Sequence, residues 1–219
     1  MIQALYNYPS NCKTLNFWRY LTALLLLSTL SGCSIFDTQK NDTTLVSTDY
    51  NWTTIKQDIQ QQTHWTLMGK IGIRTPQDSL TIAVNEWTQE DDNFEINLSS
   101  TFFGLGASSL KGNSQYITLS ESGEQAIISE HPNTLIQTAL GFPLPITYLS
   151  YWVKGLPVPD LIAKITFNEQ GLPLTIKQQH WQLQFSHYRL ERGIPLPGKI
   201  KLEQNDTRII LAIKKWTLP

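Results

Sequence analysis

HWTLMGKIGIR, residues 64–74, decides the fold. Trp65, Leu67, Gly69, Ile71 and Ile73 fall at every second position. A period of two puts alternate side chains on one face of a β-strand. Pro76-Gln77-Asp78-Ser79 follows as a turn, and Leu80, Ile82 and Val84 alternate in the next stretch, which ends near Trp87. A polar turn at 89–93 leads to Phe94, Ile96 and Leu98, again alternating. Three such stretches joined by short turns predict an antiparallel meander. Further strands are expected at 107–111, 116–120 and 125–130, separated by Gly112-Asn113 and Ser122-Gly123. A second set is expected at 161–168, 172–178, 181–190, 198–204 and 208–214.

Between the two sets the period becomes helical. Leu135, Ile136, Ala139 and Leu140 share a helical stripe that Gly141 stops. Ile146, Leu149, Tyr151 and Trp152 mark a second short helix, held between Pro143-Leu144-Pro145 and Gly155-Leu156-Pro157. Upstream, Trp52, Ile55 and Ile59 predict an amphipathic helix over 49–62, capped by Thr48 or Asp49. The count is about eleven strands and three helices, a mainly β, α+β chain. A sheet that long with one apolar face must curl to bury it. The expected architecture is therefore an incomplete antiparallel β-barrel with three helices on its concave side. The pattern leaves open whether that side is a filled core or a cavity.

The N-terminus has a different logic. Lys13 and Arg19 precede an apolar run, 21–30, of about ten residues, half the length that crosses a bilayer. Leu30-Ser31-Gly32-Cys33 closes the run and resembles a bacterial lipobox, in which the Cys receives a diacylglycerol thioether and becomes the first residue after cleavage. Residues 1–32 are thus expected to be a lipoprotein signal peptide, 33–48 a polar tether and 49–219 the domain. The diacylglycerol and an N-acyl chain on Cys33 are the only additions expected, and no cofactor or metal is. Several acyl chains suffice for stable anchoring. Ser34, by resemblance to enterobacterial lipoproteins, permits export to the outer membrane. Removing 1–32 takes away two of 17 cations and none of 18 acids, leaving a charge of about −3. Such a domain has no electrostatic case for nucleic acid. Cys12 lies in the removed segment, so no disulfide is expected.

Catalytic patterns are missing. The four His, at 64, 131, 180 and 187, have no metal-ligand spacing, and His180 and His187 are expected to face opposite sides of one strand. No nucleophile elbow, phosphate loop or dinucleotide fingerprint occurs, so no catalytic residue is assigned and the chain is expected not to be an enzyme. Two stretches stand out instead. SSTFFGLGASSL, 99–110, puts Phe102, Phe103 and Leu105 into a Gly- and Ser-rich connection, where they are either tucked under the sheet or exposed as a contact. GFPLPITYLSYWVKGLP, 141–157, is the proline-bounded helix already noted.

At these residues the chain resembles the LolB family of outer-membrane lipoprotein receptors, which belongs with LolA-like proteins. A Gly-x-Pro-x-Pro segment followed by Leu-x-x-Trp-x-x-Gly-Leu-Pro is matched by Gly141, Pro143, Pro145, Leu149, Trp152, Gly155, Leu156 and Pro157. The family's Leu-Gly loop followed by a strand Leu is matched by Leu105-Gly106 and Leu110. A Pro usually opens that loop and is absent here, so Phe103-Gly104 is a second register. The resemblance implies an eleven-stranded incomplete barrel with three helices and a cavity for the acyl chains of cargo lipoproteins. It implies transfer from the periplasmic carrier LolA into the phospholipid of the inner leaflet of the outer membrane, without nucleotide hydrolysis, by a monomer. Leu105, helped by Phe102 or Phe103, would be the membrane-insertion loop. Cavity positions follow from helix and strand faces: Trp65, Ile82, Ile96, Leu135, Leu140, Leu149 and Trp152. The competing expectation is an assembly or structural lipoprotein whose curved sheet binds a protein partner.

Overall fold

A computed structural model of the chain describes residues 49–99 and 107–219, all within one compact unit, Thr43–Pro219. Cys33, the signal peptide, the tether and the loop residues Phe102, Phe103 and Leu105 lie outside the described residues. The elements run α1 (Trp52–Gln61), β1 (His64–Arg74), β2 (Ser79–Glu90), β3 (Asn93–Leu98), β4 (Ser108–Gly112), β5 (Ile117–Glu121) and β6 (Ile127–Ser129). Then come α2 (Pro132–Leu140), α3 (Ile146–Trp152), β7 (Lys164–Phe167), β8 (Pro173–Gln178), β9 (Trp181–Ser186), β10 (Arg189–Glu191), β11 (Ile194–Leu196), β12 (Lys199–Gln204) and β13 (Thr207–Thr217).

Eleven strands form one sheet in the order β6-β5-β4-β3-β2-β1-β13-β12-β9-β8-β7, and every neighbouring pair is antiparallel. β6 and β7 are its two edges, so the sheet is open. The first six strands meander out to one edge, and the chain resumes at the other. The segment between them, α2 and α3, must cross the sheet, and its apolar residues Ile136, Ile146 and Trp152 join the strand residues in one buried core. The incomplete barrel with three helices expected from the sequence is what forms.

Local departures have physical causes. α1 is capped by Asn51, not by Thr48 or Asp49: its Oδ1 accepts from the Thr53 and Thr54 amides at 3.0 and 3.4 Å. A bulge at Asn85–Glu86 brings Trp87 onto the face of Ile82 and Val84, which simple alternation would deny it. Another irregularity follows Met68, where β13 approaches so closely that a Cβ at Gly69 would sit 2.3 Å from the Ala212 carbonyl oxygen. The strand expected over 181–190 ends at Ser186, because His187 adopts a left-handed backbone (φ 57°). His180 is left-handed too (φ 66°), in the β8–β9 turn. The two histidines therefore do not face opposite sides of one strand; neither is on a strand. A small β10–β11 hairpin follows, unforeseen in the sequence.

Candidate functional site

Alternation along the central strands sends one apolar row from each into the concave side. β1 contributes Ile71 and Ile73, β2 Ile82 and Trp87, and β3 Ile96 and Leu98; Leu110 comes from β4. β12 adds Ile200 and Leu202, and β13 adds Ile209 and Leu211. Facing them are Ile136 and Leu140 of α2, Leu144 of the connection, and Ile146, Leu149, Trp152 and Val153 at and beside α3. Together they enclose a cavity of about 70 Å³ in which every lining residue is apolar. The concave side is therefore not completely filled. An apolar void of this kind offers a guest dispersion contacts and no hydrogen bonds.

Of the seven cavity positions expected from the sequence, Ile82, Ile96, Leu140, Leu149 and Trp152 line this space. Two do not. Trp65 is buried on the same sheet but packs into an aromatic cluster, its ring 5.4 Å from those of Trp87 and Trp216. It borders a separate polar recess with Gln89, Asp91, Asp92 and Lys154. Leu135 is half-buried against the core, and its neighbour Ile136 takes the lining position on α2. Thirteen of the lining residues were not singled out as cavity positions in the sequence, among them Ile200, Leu202, Ile209 and Leu211 of β12 and β13. The alternation of those two strands was legible, but the place of β13 beside β1, with β12 next to it, is a long-range pairing.

The cavity lies toward one rim. Ile73, Leu98, Leu202 and Ile209 line it near strand ends that meet the β1–β2 turn, the β3–β4 connection and the β12–β13 turn. Both flanks of the β3–β4 connection are fixed there. The Ser99 amide donates to the Ala83 carbonyl at 3.0 Å, and its hydroxyl lies 2.7 Å from Asn85 Oδ1. Ala107 accepts from the Ser122 amide at 3.1 Å. The connection carrying Phe102, Phe103 and Leu105 thus leaves the sheet one residue after the cavity residue Leu98.

Polar groups hold the end of α3. Trp152 Nε1 donates to Gln178 Oε1 at 3.0 Å, which also accepts from the Val158 amide, while Gln178 Nε2 donates to the Val158 and Leu161 carbonyls. Gln178 is almost fully buried, so each bond replaces one to water. Lys154 is buried as well. Its Nζ donates to the Gln62 carbonyl at 2.8 Å, and desolvation lowers its pKa to about 8. Among the described residues no three His, Cys, Asp or Glu side chains converge as metal ligands would.

Known proteins carry the same signature. The family model described as "Outer membrane lipoprotein LolB" matches residues 63–216. A Pseudomonas fluorescens protein named outer-membrane lipoprotein LolB is 32% identical over 203 residues, covering 91% of this chain and 96% of its own. One of the same name from Cellvibrio japonicus is 38% identical over 170 residues, covering 74% and 82%. In fold, the chain resembles a LolA superfamily protein from Nitrosomonas europaea, with a TM-score of 0.51 at 10% identity over 78% of this chain and 94% of that one. The matched region contains all but the last residue of the sheet and both cavity helices, and the chain is therefore a member of the outer-membrane lipoprotein LolB family.

Proposed function

We propose that this protein is an outer-membrane lipoprotein receptor that takes lipoproteins from LolA by binding their acyl chains and passes them to the inner leaflet of the outer membrane. The observation that carries the reading is the cavity. It is wholly apolar, bounded by a sheet on one side and short helices on the other, and placed beside the β3–β4 connection. An acyl chain gains about 0.8 kcal/mol per methylene removed from water. Such a site need only hold the chains more favourably than the carrier does and less favourably than a bilayer. Transfer then runs downhill without a covalent step or nucleotide, so the protein acts without being an enzyme. A void of about 150 Å³ takes a single benzene ring, and the cavity has about 70 Å³. The helices must move outward to admit a chain.

Residues 1–32 are removed as the signal peptide in this reading, and Cys33 bears the diacylglycerol and N-acyl chain. Residues 33–48 tether a monomeric domain, 49–219, to the membrane. Leu105, with Phe102 or Phe103, meets the lipid during insertion. The test is to incubate the protein with a LolA–lipoprotein complex, then add liposomes and follow the cargo. Cargo should move to this protein and from it to lipid. In the Leu105→Glu variant it should reach the protein and stop there. Cargo that stays on LolA refutes the acceptor role, and unimpaired insertion by Leu105→Glu removes that residue from the insertion step.

A further inference from the structure

The near-neutral charge of the chain hides a strong asymmetry. Strands β1, β7, β8, β9, β12 and β13 together contain nine Lys or Arg and one acid, Glu203. Strands β2 to β6 contain four Glu and one Lys. None of the nine cations is buried: seven alternate with inward apolar or backbone positions and stand on the outer, convex face, while Lys214 and Lys215 lie exposed side by side where β13 shifts register against β1. Register gathers them. Arg74 lies opposite Arg208 and Lys164 opposite Lys177, while Lys70 and Lys199 flank Ala212 from either side. Lys201 and Arg208 share Glu203 at 2.9 and 2.8 Å, and these two bonds hold that carboxyl below its usual pKa. The remaining seven cations form no ion pair among the described residues. Stacking like charges on adjacent strands is unfavourable in an isolated sheet, so an opposing surface is the natural complement.

We propose that this basic convex half is a docking surface for the anionic phosphate headgroups of the bilayer to which the protein is anchored. The inference rests on the lipid anchorage given above, not on cargo binding. Three features favour a bilayer as the occupant. The chain enters the domain on this half: the Tyr50 amide donates to the Gln170 carbonyl in the β7–β8 turn at 2.9 Å. Residues 33–48, even fully extended, hold that point within about 55 Å of the anchored cysteine. Arg74, Arg208, Lys164 and Lys177 sit near the rim that carries the β3–β4 connection and the cavity, so contact through them turns the site toward the membrane. Beside Lys164 and Lys177, Ile162 is 96% exposed at the same rim, an apolar group next to cations as in interfacial anchors. Each cation near an anionic bilayer strengthens attachment by roughly fivefold, and salt erodes the effect.

The test uses the lipid-modified protein added to vesicles of phosphatidylcholine, alone or mixed with phosphatidylglycerol. Flotation reads attachment, and an amine-reactive label read by mass spectrometry reads exposure lysine by lysine. On the mixed vesicles Lys70, Lys164, Lys177 and Lys199 should react several-fold more slowly than on phosphatidylcholine. Lys56 and Lys111, off this face, should not change, and high salt should abolish the protection. The Lys164→Glu/Lys177→Glu variant, altered only at exposed positions, should lose protection at Lys70 and Lys199. Attachment to both vesicles with equal labelling overturns the docking surface and leaves the anchor standing. Attachment only to mixed vesicles supports the surface and refutes the anchor. Protection that arises only when a soluble acidic carrier protein is added assigns the face to a protein partner and overturns the proposal.

Discussion

The wall of the cavity and its cover are built to different standards. β1, in the wall, is paired along nearly its whole length on both sides, with Ile71 opposite Leu211 and Ile82. The cover consists of helices of nine and seven residues, neither with a side-chain N-cap bond. Helices so short are marginal on their own and owe their stability to packing. A sheet so paired cannot yield without breaking several hydrogen bonds together, whereas most of the cover can lift by losing chiefly apolar contacts. If the cavity must widen to take an acyl chain, it widens on the cover side. The contrast also exists within the cover. The end of α3 is pinned through Trp152, Gln178 and Lys154, while α2 and the 141–145 connection are held mainly by Ile136, Phe142 and Leu144.

Removing the pin has the largest expected effect. Trp152 is 0% exposed and packs on Tyr148 and Trp181. Trp152→Ala should cost about 3–5 kcal/mol in urea unfolding, the usual range for a large aromatic lost from a core. Trp152→Phe keeps most of the packing and deletes only the bond to Gln178, and should cost about 1–2 kcal/mol. A loss below about 1 kcal/mol for the alanine variant would mean that α3 is as loosely held as α2, erasing the distinction inside the cover.

Lys154 sharpens the same distinction through pH. Its folded pKa, about 8, lies below its ordinary 10.5 because burial disfavours the cation. The unfolded state therefore binds more protons between those values, and stability from this group rises with pH across that window. Below pH 8 the full penalty stands; above 10.5 it is gone. Lys154→Met should remove the penalty but leave the Gln62 carbonyl without its donor, for a net gain of about 1 kcal/mol at pH 7 that falls as pH rises and becomes a net loss by pH 10.5, where only the missing hydrogen bond counts. The difference between wild-type and variant urea midpoints, followed from pH 7 to 10.5, checks it. A constant difference would show that Lys154 keeps its water and clamps nothing.

Strand faces were legible because a two-residue period survives translation into three dimensions. Ile82 and Ile96, put on the inward face on that ground, line the apolar space. Depth along a strand was not legible: Trp65 shares the inward face but lies beyond the cavity, among Trp87 and Trp216. The pairing of β1 with β13, more than a hundred residues apart, is likewise invisible to periodicity, and so Leu211 and Ile209 were missed. On α2, Leu135 and Ile136 both belong to the apolar stripe. One 100° step decides which meets the cavity, and the direction in which α2 crosses the sheet sets that step.

The smallest effect tests the loose part of the cover. Gly141 ends α2 with φ of 77°, its amide bonded to the Gln137 carbonyl at 2.8 Å, and a Cβ there would meet nothing within 4 Å. Gly141→Ala therefore adds backbone strain without a clash, costing about 1 kcal/mol. The strain falls on the join between α2 and the Pro143–Pro145 connection, away from both the wall and the Trp152 pin. If the cover opens there, the variant should take up a fluorescent fatty acid faster than wild type, even as its urea midpoint falls. A destabilised wall would behave differently, because collapse of the sheet abolishes the cavity and uptake falls with stability. Opposite signs for stability and uptake rate would thus place the moving part at α2 and the connection. The same sign for both would place it in the sheet and end the contrast between a stiff wall and a yielding cover.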